Sequence, residues 1–150
     1  MLKEILTELY ERDLSKLKEE IELYADEADL WKVSGNIINP AGNLCLHMTG
    51  NLKHFFGAIL GNTGYVRDRD AEFATKNVAK GELLQGIEEA KTVVLTTLEK
   101  LTDEDYAKTY SIEVFGKPMT TGFFLTHLAT HLNWHLGHIN YHRRLLATKQ

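Results

Sequence analysis

Four stretches of this 150-residue chain repeat their apolar residues every three or four positions, the spacing of one face of an α-helix, and that periodicity limits the fold most. The first runs from Leu2 to about Tyr24 and carries Leu2, Ile5, Leu6, Leu9, Leu14, Leu17 and Ile21 between Glu and Lys residues. The second opens at Asn39-Pro40, with Asn as cap and Pro preset for the first helical position, and runs to about Leu60 through Leu44, Met48, Leu52, Phe55, Phe56 and Ile59. Gly61-Asn62-Thr63-Gly64 stops it, and Arg67-Asp68-Arg69-Asp70 reads as a solvated, self-paired surface connection. The third spans about Val78 to Leu101, with Leu83, Leu84, Ile87, Val94, Leu95 and Leu98 on one side. Between Tyr106 and Thr120, Tyr110, Ile112 and Val114 alternate with polar residues before Phe115-Gly116-Lys117-Pro118, which predicts an extended link or small hairpin. A last helix, capped by Thr120 or Thr121, extends to about Ala147. The expected fold is all-α: one four-helix-bundle domain over residues 1–150, with the longer connections between helices 2 and 3 and between helices 3 and 4.

Composition narrows the function. Seventeen basic against twenty-one acidic side chains leave a formal charge of −4, which argues against general attraction to nucleic-acid phosphates. No apolar stretch approaches the ~18 residues of a membrane span. A single cysteine, Cys45, cannot pair within the chain, and MLKEILTELYERD carries charges where a signal peptide needs its apolar segment, so a cytoplasmic protein is expected. Trp31, Trp134, Phe55 and Phe123 are read as core residues.

Histidine is the unusual component. Five of seven, His127, His131, His135, His138 and His142, fall within sixteen residues, separated by four, four, three and four. At about 100° per residue they share a sector of roughly 80° on the last helix, and imidazoles four apart can converge on one ion. His131 with His135 is such a pair, but the spacing of His127 with His131 and of His138 with His142 is the same. A site inside a bundle needs a further ligand from a facing helix, and the second helix offers His47 or His54, two turns apart. One of these two is expected to serve. Three neutral imidazoles suit zinc, nickel or another borderline divalent ion and leave positions open for water or substrate. Cys45 lies about 200° around the helix from His47 and is read as an inert buried thiol.

The order of His47-Met48-Thr49-Gly50-Asn51-Leu52, Arg67-Asp68-Arg69-Asp70-Ala71-Glu72-Phe73 and His131-Leu132-Asn133-Trp134-His135-Leu136-Gly137-His138-Ile139 resembles the DinB-like superfamily, over nearly the whole chain. The resemblance implies a three-histidine metal site at His47, His131 and His135. It leaves His127, His138 and His142 as boundary or surface groups. The sequence departs from the usual second motif at His138, where relatives often carry glutamine, so a fourth imidazole stands one turn beyond His135 as ligand or polar neighbour. Asn43 and Asn51 flank His47 by one turn each.

Relatives in that superfamily include metal-dependent transferases of low-molecular-weight thiols such as bacillithiol, mycothiol or glutathione. The resemblance therefore implies a small-molecule thiol and an electrophilic substrate as partners, with the ion favouring the nucleophilic thiolate. Two other readings use the same residues: a hydrolase acting through water, and a non-catalytic, stress-associated protein in which the ion staples helices together. Superfamily members often form homodimers, which an apolar face left over on the first or third helix would permit.

Overall fold

The structure, a computed structural model, describes residues 1–148. Four long helices carry the periodic segments: α1 (Leu2–Glu22), α2 (Ala41–Leu52), α4 (Lys80–Lys100) and α6 (Thr121–Leu146). Two short ones, α3 (Arg69–Ala74) and α5 (Asp103–Ala107), lie in the longer connections. A 3-10 turn spans Glu27–Trp31, and a π-helical stretch, Lys53–Leu60, continues α2. Among the described residues the only extended pairing is an antiparallel bridge between Thr109 and Thr120, so the predicted small hairpin is reduced to its base.

In α1 the buried residues Leu6, Tyr10, Leu14, Leu17 and Ile21 step by four, four, three and four, and this stripe sets its inner face. They join Ile87, Val94 and Leu98 of α4 and Phe124, Leu125, Leu128, Leu132 and Ile139 of α6 in one core. Tyr10 meets Phe56 edge-on at 5.1 Å between ring centres, and Phe55 meets Phe124 at 5.0 Å. The helix directions follow from the pairs that cross between them. Asp13 accepts from Asn133, and seven residues further along both helices Glu20 accepts from Asn140, so α1 and α6 are parallel. Lys3 reaches Glu99 and Lys18 reaches Glu88, so α1 and α4 are antiparallel. His47 lies by His131 while Phe55 lies by Phe124, so α2 and α6 are antiparallel as well. It follows that α2 and α4 run in the same direction, and α1 and α2 sit across a diagonal, each packing on both α4 and α6.

That topology has a local consequence. Two consecutive long helices that run parallel need a connection that travels back along the bundle. The return strap, residues 61–79, lays α3 against α2.

Several expectations need correction. Pro40 takes the cap position of α2, at φ −71° and ψ 167°, with no side-chain cap, where Asn39 was expected. The connection after Gly61 contains a helix because Asp68 accepts the amide of Ala71 and starts it. A capping box between Thr102 and Asp105 does the same for α5. The last two turns of the second helix are π-wound, closed by Gly61 N–H donating to Phe56 C=O at 2.9 Å. Phe55 is buried and Trp31 packs over Gly42, but Trp134 is 66% exposed and Phe123 60% exposed, so neither belongs to the core. Periodicity places a residue on a helix; it does not say how wide the buried face is. The large apolar side chains left in water concentrate on α6 (Phe123, Trp134, Tyr141, Leu145) rather than on the first or third long helix.

Candidate metal centre

His47 projects from the buried middle of α2, and His131 and His135 face it from one side of α6. One nitrogen of each ring lies within 4.8 Å of the others. The Nε2 atoms of His47 and His131 are 3.3 Å apart, and those of His131 and His135 are 3.1 Å apart. Tetrahedral ligands at the zinc–nitrogen distance of about 2.0–2.1 Å stand about 3.3 Å from one another. The three rings could therefore hold a single small divalent ion.

Each ring is presented by a different local device. His47 faces Glu72 Oε1 through Nδ1 at 3.0 Å, so its proton sits on Nδ1 and its Nε2 lone pair faces the other two imidazoles. Arg67 grips the same carboxylate with both arms, Nε on Oε2 at 2.9 Å and Nη2 on Oε1 at 3.0 Å. Burial alone would raise the Glu72 carboxyl, but the hydrogen bonds from His47 and Arg67 outweigh it and hold the group ionised below its ordinary value. The carboxylate sits against Gly50, where a Cβ would stand 2.0 Å from Oε2. That close approach is why a helix interior accepts glycine one turn past His47. Asn43, one turn before His47, donates to the carbonyls of Glu72 (2.9 Å) and Thr75 (2.8 Å) and fastens α3 to α2.

His131 and His135 are half-buried neutral imidazoles. Burial, then the neighbouring rings of His47 and His127 and the guanidinium charges of Arg67 and Arg69, pushes His131 down to about 4. Burial, then His131, His47 and His138, pushes His135 down to about 4. Both rings keep free lone pairs at neutral pH, the form a metal ligand needs. Among the described residues, the buried His135 Nδ1 has no hydrogen-bond partner. The Phe73 ring packs on His47 at 4.7 Å and has the Arg69 guanidinium over it at 5.1 Å.

The remaining histidines separate cleanly. His54 lies against Phe55, outside the group of three. His127 packs on Phe115 at 4.8 Å. His138 is exposed, edge-on to Trp134, with its ring 5.7 Å from His135 and no place in the group. His142 is a saturated core residue: Nδ1 accepts from the Tyr24 hydroxyl at 2.6 Å and Nε2 donates to Lys32 C=O at 2.8 Å. Cys45 is fully buried, and burial pushes its thiol up to about 12.

Glu72, Arg67 and Gly50 are what sequence reasoning missed. Glu72 follows a run whose charges suit a solvated connection, yet it is 7% exposed and hydrogen-bonded to a candidate ligand. The available signal was the requirement that a metal-binding histidine hand its second N–H to an acceptor, together with a carboxylate in a motif already singled out.

The family described as "Protein of unknown function (DUF1572)" matches residues 5–150 of the chain. Among solved structures, a conserved protein from Enterococcus faecalis is similar, with 17% identity, 95% of each chain covered and a TM-score of 0.76. A DinB-like protein from Bacillus cereus is similar with 15% identity, 92% of this chain and 91% of that chain covered, and a TM-score of 0.70. At such identities the likeness is one of fold. No curated protein matches the sequence. No helix of the described residues is long and apolar enough to cross a membrane.

Proposed function

Because the chain belongs to the DUF1572 family, a DinB-like family, we propose that it binds one divalent ion through His47, His131 and His135 and transfers a low-molecular-weight thiol onto an electrophile. The observation that carries this reading is the convergence of three Nε2 atoms at ligand-to-ligand distances, one of them aimed by a buried carboxylate. Zinc or nickel suits the all-imidazole donor set. When bound, such an ion supplies Lewis acidity that favours the thiolate of an outside thiol at neutral pH.

The chain's own residues supply position and charge state. Arg67 and Gly50 hold the Glu72 carboxylate where it orders the His47 ring. His131 and His135 stay unprotonated first because α2, α3 and α6 bury them, and then because a proton on one ring disfavours a proton on its neighbours, with Arg67 and Arg69 adding to this at His131. The nucleophile comes from solution, since Cys45 is sealed in the core with its thiol protonated. In the transfer, the thiol gives its proton to solvent and its sulfur forms a bond to the electrophilic carbon, whose leaving group departs with its electron pair. Three protein ligands rather than four favour chemistry over a purely structural site. His138, exposed and outside the group, does not close the set.

The test is a panel of bacillithiol, mycothiol and glutathione with a chromogenic aryl halide, using protein loaded with zinc or nickel. Turnover that a chelator abolishes and added metal restores is expected. Retention of metal with no turnover for any thiol would leave a metal-binding protein without this activity.

A further inference from the structure

We infer that the cavity between the segment after the 3-10 turn and the outer half of α6 is the binding site for an uncharged, mainly apolar small molecule, the electrophilic acceptor in the proposed transfer. The cavity holds about 480 Å³, a volume suited to one drug-sized molecule. Its wall includes His135, so the cavity abuts the three-histidine group directly. Ile37, Ile38, Leu44, Tyr141 and Leu145 supply most of the rest.

The chemistry of the lining selects the occupant. Among the described residues no Asp, Glu, Lys or Arg lines this cavity, so a charged ligand would lose its hydration without an opposite charge from them to replace it. Its polar side chains are the amides of Asn36 and Asn39, the imidazoles of His135, His138 and His142, and Tyr141 with its hydroxyl. His142 is saturated by Tyr24 and Lys32, whereas His138, which packs only edge-on to Trp134 and His135, is free to hydrogen-bond a ligand. At the rim, Ile38 is 84% exposed, Leu145 70% and Tyr141 64%: large apolar side chains left in water around a concave, uncharged site. A second cavity, of about 540 Å³, shows the contrast. It lies behind Glu72, is lined by Lys53, Asp68, Glu82 and Glu89, and touches none of the three histidines.

The inference relies on the metal reading for the fate of the molecule but not for its binding, so the test reads binding in metal-free, full-length protein. The probe is N-phenyl-1-naphthylamine, uncharged and fluorescent in apolar surroundings. One molecule per chain is expected, bound at least tenfold more tightly than the anionic 8-anilinonaphthalene-1-sulfonate. Ile38→Asp and Leu145→Asp, both at exposed positions that leave the core untouched, are each expected to weaken the uncharged probe at least tenfold with an unchanged thermal midpoint. Absence of binding by wild type, equal affinity for the anion, or unaltered affinity in both variants would overturn the inference. Zinc stoichiometry on the same samples separates the two readings: zinc bound with no probe site overturns this inference alone, and a probe site with no zinc bound overturns the metal reading alone.

Discussion

Replacing Gly50 with alanine tests whether Glu72 positions the metal centre. The added Cβ would lie 2.0 Å from Glu72 Oε2 and 2.7 Å from its carboxyl carbon, and such contacts are not tolerated below 3.0 Å. The carboxylate must retreat by about 1 Å, which stretches the 3.0 Å His47–Glu72 hydrogen bond past useful length. Loss of a histidine's outer hydrogen-bond partner costs about 10–100-fold in metal affinity, or roughly 1.4–2.8 kcal/mol. Fold stability moves differently. A glycine-to-alanine change inside a helix gains about 1 kcal/mol, which partly offsets a charge-assisted hydrogen bond worth about 1.5–3 kcal/mol. The metal-free variant is therefore expected to lose only about 1 kcal/mol while zinc affinity falls by one to two orders of magnitude. Gly86→Ala in α4, where a new Cβ meets nothing within 4 Å, should gain stability and leave zinc affinity alone. Competition against a chromophoric chelator measures the affinity, and urea unfolding measures the stability. If Gly50→Ala binds zinc within twofold of wild type, Glu72 does not orient His47 in the way described. In a Glu72→Gln background the alanine should add little, because both changes act on one hydrogen bond.

His142→Leu should destabilise the chain by about 1–3 kcal/mol in urea, because it leaves the buried Tyr24 hydroxyl only a long 3.5 Å contact with the Ile139 carbonyl and removes the donor to the Lys32 carbonyl, while leaving zinc stoichiometry unchanged. Burial first, with neighbouring charges for two of them, lowers the folded-state values of His131, His135 and His142 below the unfolded value of about 6.5. Below that pH the unfolded chain takes up protons before the folded one does. Stability of the metal-free protein is thus expected to be full above about pH 6.5 and to decline as pH falls toward 4, read as a falling urea midpoint. A midpoint that rises over that window would reverse the sign of the argument.

The long helices were legible because each depends on its own periodicity: the stripe from Leu6 to Ile21 is visible without knowing what it packs against. His131 and His135 were legible as a pair for the same reason, since their separation is set within one helix. The choice between His47 and His54 depends on how two distant helices register, and the spacing alone left it open. Resemblance pointed to His47, and the fold sets it 3.3 Å from His131 while His54 turns against Phe55. Glu72 was less legible still. Its burial follows from α2 and α4 running in the same direction, which forces the return strap across the face of α2. A run such as Arg67-Asp68-Arg69-Asp70 looks solvated in isolation; the hydrogen bonds that draw its neighbour inward come from Asn43 and His47, more than twenty residues earlier. Trp134 and Phe123 fail in the other direction. Both obey the helical repeat of α6, but among the described residues they lie on a face left exposed.

The coordination of the loaded protein tests the central claim most directly. X-ray absorption at the zinc edge of stoichiometrically loaded, tag-free protein should show three imidazole nitrogens at about 2.0–2.1 Å with one further light atom from solvent. His131→Ala should abolish that signature. A shell of four imidazoles, a sulfur neighbour, or an unchanged spectrum in the variant would contradict a three-histidine site open to an outside molecule.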